Sequence, residues 1–482
     1  MITSARMAAV DENAASLGVP RRQLMESSGN AIARLVREQT ESGDRVVFVC
    51  GRGNNGGDGF VAARFLQDRH VNVYLLGRPD ALTTEIARAN WNALQKAEYA
   101  CEYVRDSRDL DIADAAVVVD AIVGTGVRGE LREPVATAVE QINEHPGEVI
   151  AVDVPSGVDP NSGETNGPAV DADRVVTFHD SKPGLADLDI PITVANIGIP
   201  AAAERFVGPG DVGSFSRDPD SHKGDAGRIL VIGGGPYTGA PALTATAAMR
   251  TGADLGIIAC PDAVETAIQS FAPDLIVRGF DGERLTPDVV PWLLDEGDAA
   301  DVVVIGPGLG DADETQTAVS EFLTAFEGRA IVDADALRTV PAVETDATLI
   351  CTPHQGELVT MGGTRHDDWE ERAEVVESFA TELGHTLVVK GRYDIISDGT
   401  DTRVNRTGNP GMTAGGTGDV LAGVIASLFA HASRDGLAAG AVGAYLTGEA
   451  GDAALEHSGY GLLASDVIAE LPGVIWGETH GR

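Results

Sequence analysis

The chain has 482 residues, of which 43% are hydrophobic, so it is too long for one hydrophobic core and predicts two or three domains. Its formal net charge is −39, which disfavours nucleic-acid binding through a basic surface. No apolar run is long enough to span a membrane, the first residues contain no apolar signal-peptide core, and the four cysteines lie far apart, so we expect a cytoplasmic protein without membrane contact. An acidic surface with few lysines favours a halophilic protein, because salt screens self-repulsion; an acidic mesophilic protein is the alternative.

Short apolar runs typical of buried strands alternate with helical patterns, which predicts a parallel α/β architecture. The first half has six such runs, at residues 46–50, 71–76, 116–123, 149–154, 175–178 and 192–195. A second series of seven begins at residue 229, ends at residue 397, and is followed by two helices of small residues around 420–431 and 437–451. The sequence therefore predicts two α/β domains, at residues 1–212 and 225–482, joined by a Gly- and Pro-rich linker at residues 213–224.

The most informative segment is Thr413-Ala-Gly-Gly-Thr-Gly-Asp419, which precedes an apolar helical run. Its glycines let the backbone approach a ligand closely, and its N–H groups together with the helix N-terminus form an anion hole suited to phosphate. A carboxylate beside an anion is costly unless it removes a proton or holds a metal, so Asp419 indicates phosphoryl chemistry. The alternative is a structural helix cap, where Ser or Thr would be the more plausible residue.

Four further segments of the second half, residues 233–240, 306–310, 352–357 and 390–394, follow predicted strands. Because open α/β sheets bind ligands outside the carboxyl ends of their strands, we expect these segments to meet at one site. Lys390, Arg392 and Tyr393 offer two cations and an aromatic ring, which suit the phosphates and base of a nucleotide. Taken singly, each Gly-rich loop is more often a tight turn, and Lys390 a solvated strand end.

Together with residues 222–234, these segments resemble the ribokinase-like superfamily and, within it, the ADP-dependent NAD(P)H-hydrate dehydratase family. The resemblance spans the predicted second domain in order. It implies an enzyme that takes the (S)-6-hydroxy hydrate of NADH or NADPH, uses ADP to activate the hydroxyl, and releases AMP and phosphate, with Mg²⁺ bridging the phosphates. It also implies that the hydrate is bound by Ala240, Gly310, His354 and Asp419, with Asp419 as the catalytic base. The nucleotide would be bound by Lys390, Gly391, Arg392, Tyr393, Asp394 and Gly418.

In the first half, the predicted strand at 46–50 runs into Gly51-Arg-Gly-Asn-Asn-Gly-Gly-Asp-Gly59, which matches G-x-G-x-x-G. A dinucleotide fingerprint also needs an acid after the next strand, but Gly77-Arg78 stands there, which weakens an NAD-redox interpretation. Asp120 and Asp153 each end a later predicted strand. With Asn55 and Ser156, Asp120 offers oxygen donors of the kind that hard monovalent cations prefer. A helix cap or turn former is the alternative for each aspartate alone.

This half resembles the NAD(P)H-hydrate epimerase domain over roughly residues 5–210, through Leu24-Met-Glu-Ser-Ser-Gly29, the segment Gly53-Asn-Asn-Gly-Gly-Asp-Gly59 and Val152-Asp-Val-Pro-Ser-Gly157. The resemblance implies interconversion of the R and S hydrates, with Asp153 as the candidate acid/base. It implies that K⁺ is held by Asn55, Asp120 and Ser156. It implies that the hydrate is bound by Asn54, Asn55, Gly56, Gly57, Asp58, Gly124, Thr125, Gly126, Val127, Arg128, Gly129, Glu130 and Asp153.

The two resemblances imply one repair activity: a Rossmann-like domain that epimerises the hydrates NADHX and NADPHX, followed by a ribokinase-like domain that dehydrates the S form with ADP. One alternative is a ribokinase-like small-molecule kinase fused to a non-catalytic Rossmann-like binding domain. The polar residues Asp58, Asp120 and Asp153 argue against a non-catalytic first domain. The preference between NADHX and NADPHX, the choice of ADP or ATP, the Mg²⁺ ligands and the existence of a homo-oligomer stay open at this point.

Overall fold

The computed structural model describes residues 1–124, 131–213, 217, 220–431 and 434–477. Backbone contacts divide the chain into two compact units, Met1–Glu204 and Arg205–Arg482. This division precedes the predicted linker, because Val207 and Val212 pack into the core of the second unit and the Val207 N–H donates to the Val404 carbonyl. The limits predicted for the linker stay a prediction. No helix among the described residues is long and apolar enough to cross a membrane.

The first unit is built on a sheet of seven parallel strands. They are β1 (Arg45–Cys50), β2 (His70–Leu76), β3 (Ala100–Val104), β4 (Val117–Ala121), β5 (Glu148–Val152), β6 (Arg174–Phe178) and β7 (Ile192–Ala195). Their order across the sheet is β3-β2-β1-β4-β5-β6-β7, with parallel pairing at every step. All six predicted runs are strands. The sequence missed β3, whose residues at the sheet edge are mostly exposed and give no continuous apolar run.

Helices cover both faces of this sheet. They are α1 (Ser4–Ser16), α2 (Arg21–Glu38), α3 (Asn54–Phe65), α4 (Glu85–Lys96), α5 (Val135–Asn143) and α6 (Ala201–Arg205). Helix α3 begins inside the Gly-rich segment and packs tightly against the sheet: a Cβ on Gly59 would lie 2.8 Å from the Cys50 Sγ atom. The glycine there permits close helix–strand packing, which places the first turn of α3 directly above the carboxyl end of β1.

The second unit has a nine-stranded sheet. Its strands are β8 (Arg228–Ile232), β9 (Leu255–Pro261), β10 (Ile276–Phe280), β11 (Val302–Ile305), β12 (Arg329–Val332), β13 (Thr348–Cys351), β14 (Thr386–Val389), β15 (Asp394–Ser397) and β16 (Thr402–Asn405). The order is β10-β9-β8-β11-β12-β13-β14-β15-β16. The pairs β14–β15 and β15–β16 are antiparallel, and the others are parallel. The two strands that the sequence missed, β10 and β16, are the edge strands.

The helices of the second unit are α7 (Pro209–Val212), α8 (Gly239–Thr251), α9 (Asp262–Gln269), α10 (Val290–Asp298), α11 (Asp313–Ala325), α12 (Gln355–Thr360), α13 (Trp369–Leu383), α14 (Thr417–Phe429), α15 (Gly436–Ser458) and α16 (Ala464–Trp476). The predicted pair of small-residue helices corresponds to α14 and α15. The sequence missed α16, which follows this pair and buries Val467, Leu471 and Ile475 in the same core.

Candidate active sites

A cavity of about 1070 Å³ opens at the carboxyl edge of the first unit's sheet. Parallel strands end together at this edge, which is where open α/β sheets bind ligands. The polar residues that line the cavity include Asp11, Asn54, Asn55, Asp58, Asp153 and Lys182. Gly124 also lines it, whereas Gly56 and Gly57 lie buried against Gly51 and Met25. The predicted hydrate-binding residues Thr125, Gly126, Val127, Arg128, Gly129 and Glu130 lie outside the described residues.

The three predicted cation ligands lie together beside this cavity. The Asp120 Oδ2 atom accepts a hydrogen bond from the Ser156 N–H at 2.8 Å, and its Oδ1 atom accepts one from the Ser156 hydroxyl at 2.7 Å. A Cβ on Gly124 would lie 3.3 Å from the Asn55 Oδ1 atom, so the Asn55 amide packs against the segment that directly follows Asp120 in the chain. Burial raises the pKa of Asp120 to about 6, although its hydrogen bonds to Ser156 lower it.

Asp153 occupies a constrained position at the end of β5. Its φ of 70° lies in the left-handed region, which is unusual for a residue other than glycine and is often found at functional sites. The Asp153 Oδ1 atom lies 3.0 Å from the Lys182 Nζ atom and accepts a hydrogen bond from the Thr177 hydroxyl at 3.1 Å. The predicted acid/base residue is therefore held by a buried cation. The sequence analysis missed Lys182, although a lysine after the buried strand β6 was a usable signal.

Two more aspartates face the cavity, Asp58 from α3 and Asp11 from α1. Burial raises the pKa of Asp58 well above its ordinary value, and the negative charges of Asp153 and Asp11 raise it further. Burial also raises the pKa of Asp11 to about 6. The sequence analysis missed Asp11, because a single aspartate within an amphipathic helix carries no distinguishing pattern.

In the second unit, Asp419 lies on the first turn of α14. This helix is preceded by Gly416, whose φ of 96° needs a residue without a Cβ atom. Burial raises the pKa of Asp419 to about 7; the negative charge of Asp333 raises it and the Lys390 ammonium lowers it. Asp419 can therefore exchange a proton near neutral pH, as general-base chemistry requires.

Lys390 reaches the N-terminus of α14 from the end of β14. Its Nζ atom lies 3.0 Å from the Asp333 Oδ1 atom and 3.9 Å from the Glu357 Oε2 atom. A Cβ on Gly418 would lie 3.2 Å from the same ammonium, so the cation borders the predicted anion hole. Burial alone would lower the pKa of Lys390, but the Asp333 and Glu357 carboxylates raise it above its ordinary value. The ammonium thus stays charged beside the place predicted for phosphate.

Asp333 is a site residue that the sequence analysis missed. It follows β12, is buried, and accepts a hydrogen bond from the Thr352 hydroxyl at 2.7 Å in addition to its ion pair with Lys390. The signal available was a lone aspartate after a short apolar run, without the glycines that marked the other loops. Asp333 fixes the position of the Lys390 ammonium.

The remaining residues of the predicted nucleotide segment form the turn between β14 and β15. The Asp394 carboxylate accepts hydrogen bonds from the Gly391 N–H and the Asn405 amide, each at 2.9 Å, so it braces this turn. Burial raises the pKa of Asp394 to about 6. The Tyr393 ring packs 5.4 Å from the Trp369 ring, and the Arg392 guanidinium lies 5.7 Å from the Tyr393 ring centre. An aromatic surface and a cation therefore lie next to Lys390.

The predicted hydrate-binding residues of this unit lie at the ends of neighbouring strands. Ala240 is in the first turn of α8, which follows β8. Gly310 follows β11, and its N–H donates to the Asp335 carboxylate at 2.9 Å. The His354 Nδ1 atom accepts hydrogen bonds from the N–H groups of Gly356 and Glu357, which leaves its Nε2 atom to carry the proton. That side chain is 60% exposed and is able to donate to a ligand.

Within the described residues, no group of three or more His, Cys, Asp or Glu side chains is arranged to hold a metal ion. The four cysteines are free. The fold and the two sites define a two-unit α/β enzyme with one polar site at the carboxyl edge of each sheet. The second site combines a proton-accepting carboxyl, a cation and a helix N-terminus, as phosphoryl transfer requires.

Comparison with known proteins gives the family. Residues 229–473 match the family model described as NAD(P)H-hydrate dehydratase, and residues 21–184 match the one described as YjeF-related protein N-terminus. The bifunctional NAD(P)H-hydrate repair enzyme of Pyrobaculum aerophilum is 44% identical over 98% of each chain. The enzyme of the same name from Methanothermobacter thermautotrophicus is 42% identical over 97% of this chain and 94% of its own. The chain belongs to the family of bifunctional NAD(P)H-hydrate repair enzymes.

Solved structures confirm the ribokinase-like fold of the second unit. The ADP/ATP-dependent NAD(P)H-hydrate dehydratase from Bacillus subtilis, co-crystallized with ATP/Mg²⁺, matches with a TM-score of 0.51 and 28% identity over 57% of this chain and 98% of its own. A ribokinase-like superfamily protein from Enterococcus faecalis matches with a TM-score of 0.50 and 27% identity over 56% of this chain and 95% of its own. Both resemblances stated from the sequence are confirmed.

Proposed function

We propose that this protein repairs hydrated NADH and NADPH. The first unit interconverts the R and S forms of NADHX and NADPHX, and the second unit dehydrates the S form, converting ADP to AMP and phosphate. The observation that carries the proposal is the joint placement of Asp419 and Lys390 at the N-terminus of α14. Family membership over nearly the full length supports it for both units.

In the second unit, the Asp419 carboxylate accepts the proton of the C6 hydroxyl as that oxygen attacks the β-phosphoryl group of ADP. The N–H groups of Gly416, Thr417 and Gly418, with the nearby Lys390 ammonium, bind the transferred phosphoryl group. AMP leaves, and the C6–O bond then breaks to release phosphate, while loss of a C5 proton restores the nicotinamide double bond. The turn that contains Arg392 and Tyr393 binds the adenine nucleotide.

The Asp333 and Glu357 carboxylates beside Lys390 fit Mg²⁺ in kind, because this ion is held in proteins by one or two carboxylates together with substrate phosphates. When bound, Mg²⁺ would neutralise part of the phosphate charge.

In the first unit, Asn55, Asp120 and Ser156 would hold K⁺. The raised pKa of Asp120 indicates a buried carboxyl that lacks a full counter-charge, and a bound cation supplies that charge.

In the first unit, Asp153 is the proposed acid/base at the C6 hydroxyl, and the cavity that it lines takes the hydrate. Inversion at C6 needs a bond to oxygen to break and to form again, so a positioned proton carrier is required there. The helix α3 N-terminus, with Asn54 and Asn55, faces the same cavity. It favours the negatively charged pyrophosphate of the substrate.

The direct test follows absorbance of the reduced nicotinamide after purified protein is mixed with the S hydrate and ADP or ATP. We expect recovery of NADH or NADPH with release of one AMP and one phosphate for each NADH formed from ADP. Asp419→Asn should slow this repair by ~10²–10⁴-fold, because an amide cannot accept the proton, while the adenine nucleotide still binds. Accumulation of a stable phosphorylated alcohol without recovered absorbance would instead support the small-molecule kinase.

A further inference from the structure

The carboxyl groups of the first unit's cavity differ in the partners they have. The Asp153 carboxylate has both the Lys182 ammonium and the Thr177 hydroxyl on its Oδ1 atom. Asp58 and Asp11 face the same cavity, and neither has a hydrogen-bond or ion-pair partner among the described residues. Of the three aspartates that line the cavity, one is therefore fixed by a cation, whereas two are free to exchange hydrogen bonds with a bound molecule.

Lys182 is committed to this arrangement. Its side chain is only 1% exposed, and its ammonium also donates to the Thr177 hydroxyl at 3.0 Å, the Phe178 carbonyl at 2.9 Å and the Asp180 carbonyl at 3.1 Å. These oxygens occupy all the donors that an ammonium has. Lys182 consequently cannot bind the substrate directly, and its contact with the Asp153 carboxylate fixes the position of that group.

We propose that Lys182 is a positioning residue that holds the Asp153 carboxylate in place, and that Asp58 is the residue that gives the C6 hydroxyl its proton. This inference rests on the proposed epimerase function and deepens it. It divides between two carboxyls the acid and base roles that a single residue would otherwise have to perform.

The proposed step is balanced without an oxidant or another reactant. Asp58 donates its proton to the C6 hydroxyl, the C6–O bond breaks with departure of water, and the N1 lone pair forms a C6=N1 iminium. The Asp58 carboxylate and the fixed Asp153 carboxylate then face a cation, which favours the intermediate electrostatically. Water adds to the opposite face of C6 and gives its proton to the Asp153 carboxylate, and proton exchange with solvent then returns Asp58 to its acid form and Asp153 to its carboxylate.

The charges around Asp58 agree with this division. The groups that face Asp58 are Asp11 on α1, Asp153 after β5 and the Cys50 thiol on β1, and none of them is a cation. Burial raises the pKa of Asp58 well above its ordinary value, and the negative charges of Asp153 and Asp11 raise it further, so Asp58 is able to hold a proton in the cavity. Two carboxyls whose surroundings separate their protonation states are a common arrangement for acid and base roles.

The first test is Asp58→Asn, with conversion of the R hydrate measured through the dehydratase of the same chain. We expect conversion of the R form to fall ~10²–10⁴-fold toward the spontaneous rate, while repair of the pure S form is unchanged. Asp109→Asn, which removes an exposed carboxylate of the same unit, is the matched control and should keep both rates. R-form conversion within threefold of the unsubstituted protein in Asp58→Asn would overturn the proposal.

The second test uses Lys182→Met and the pH dependence of R-form conversion. Without the Lys182 ammonium, the cavity loses a buried positive charge that favours carboxylates, so the acidic limb of the rate profile should move to higher pH while the basic limb stays in place. Lys96→Met removes an exposed lysine of α4 and should leave the profile unchanged. An equal fall in rate at every pH would indicate a purely structural role and would overturn the positioning role.

Since Lys182 is buried, Lys182→Met can fail to fold, and Thr177→Val then tests the same contact because it removes the hydroxyl that joins Lys182 to Asp153. The same upward movement of the acidic limb is expected, and an unchanged profile would contradict it.

The unsubstituted protein distinguishes failure of the proposed epimerase function from failure of this further inference. If it does not convert the R form at all, the epimerase function fails; if it does and the variants match it, only this further inference fails.

Discussion

At the scale of single residues, Asp419 experiences two opposing influences. The N-terminus of α14 favours a negative charge, whereas burial and the Asp333 carboxylate favour the neutral acid. The outcome is a pKa of about 7, close to the value at which a general base is most effective. This pKa makes the Asp419 side chain useful in catalysis. It also lowers the stability of the fold, since the ionised form is disfavoured in the folded protein.

The rate of S-hydrate repair should therefore rise with pH through about 7, the pKa of Asp419, because only the carboxylate accepts the proton. Stability should change in the opposite direction. The folded state holds this proton more tightly than the unfolded state between the ordinary carboxyl range and pH 7, so Asp419 destabilises the fold progressively over that interval. Thermal melts should give Asp419→Asn a higher Tm than the unsubstituted protein at pH 8 and an equal one at pH 4. If Asp419→Asn raises the Tm by the same amount at both pH values, the raised pKa of Asp419 is not the cause of the difference.

The sequence revealed some site residues and not others for a physical reason. Asp153, Asp419 and Lys390 adjoin glycines or prolines at predicted strand or helix ends, so their loops were recognisable. Asp333 and Asp11 are single polar residues without such neighbours. The roles of Asp333 and Lys182 depend on burial and on ion pairs with distant parts of the chain. Those contacts arise only when the chain folds.

At the scale of secondary-structure elements, α14 determines the geometry of the second site. A Cβ on Gly423 would lie 2.1 Å from the Thr244 carbonyl oxygen of α8, so this glycine permits close packing of the two helices. The apolar face of α14 is completely buried, which fixes the helix axis and hence the direction in which its N-terminus faces. A change in the packing of Gly423 should therefore affect a site that lies more than one helical turn away.

Gly423→Ala should destabilise the second unit by ~1–3 kcal/mol, because an overpacked helix interface has to move apart. Urea unfolding measures the stability, and S-hydrate repair should fall while R-to-S conversion by the first unit is retained. Gly473→Ala is the matched control, since a Cβ on Gly473 in α16 meets no atom within 4 Å. That variant should be neutral or slightly stabilised, as alanine is the better helix former. Equal stability of the two variants would contradict the role given to Gly423.

The elements that the sequence predicted are the buried ones. All thirteen predicted strands are present, because strands covered on both faces give continuous apolar runs. The strands β3, β10 and β16 were missed, and all three are at or beside an edge of their sheets, where half of the side chains face solvent and the run is broken. The sequence pattern also could not predict that β15 pairs antiparallel with β14 and β16, because an apolar run carries no information about strand direction.

At the scale of the whole molecule, the residues of each polar site come from one compact unit, so the two proposed activities should respond separately to substitution. Asp153→Asn should stop conversion of the R hydrate beyond its spontaneous rate and leave repair of pure S hydrate intact. The measurement compares recovery of reduced nicotinamide from the two separated hydrates with excess ADP. Equal loss with both substrates would show that the sites are not independent.

The net charge of −39 affects the entire surface, and we propose that the protein is adapted to high salt. Repulsion between exposed carboxylates destabilises the compact state, and the Debye length that limits it shrinks from ~10 Å at 0.1 M to ~3 Å at 1 M salt. The Tm should therefore rise from dilute to molar KCl and rise equally in NaCl, because screening does not distinguish the two ions. A Tm that is flat or falls with salt would remove the halophilic interpretation.

The site formed by Asn55, Asp120 and Ser156 should distinguish these ions, since a buried set of oxygen donors selects a cation by size, whereas a screened surface does not. R-hydrate turnover in matched KCl and NaCl should be faster with K⁺. The Tm in the same buffers then serves as the internal control for screening. Asp120→Asn should remove the ion preference while S-hydrate repair continues, because the altered charge lies in the first unit alone. Equal turnover in both ions would exclude a potassium site and leave the screening effect as the full account of the salt dependence.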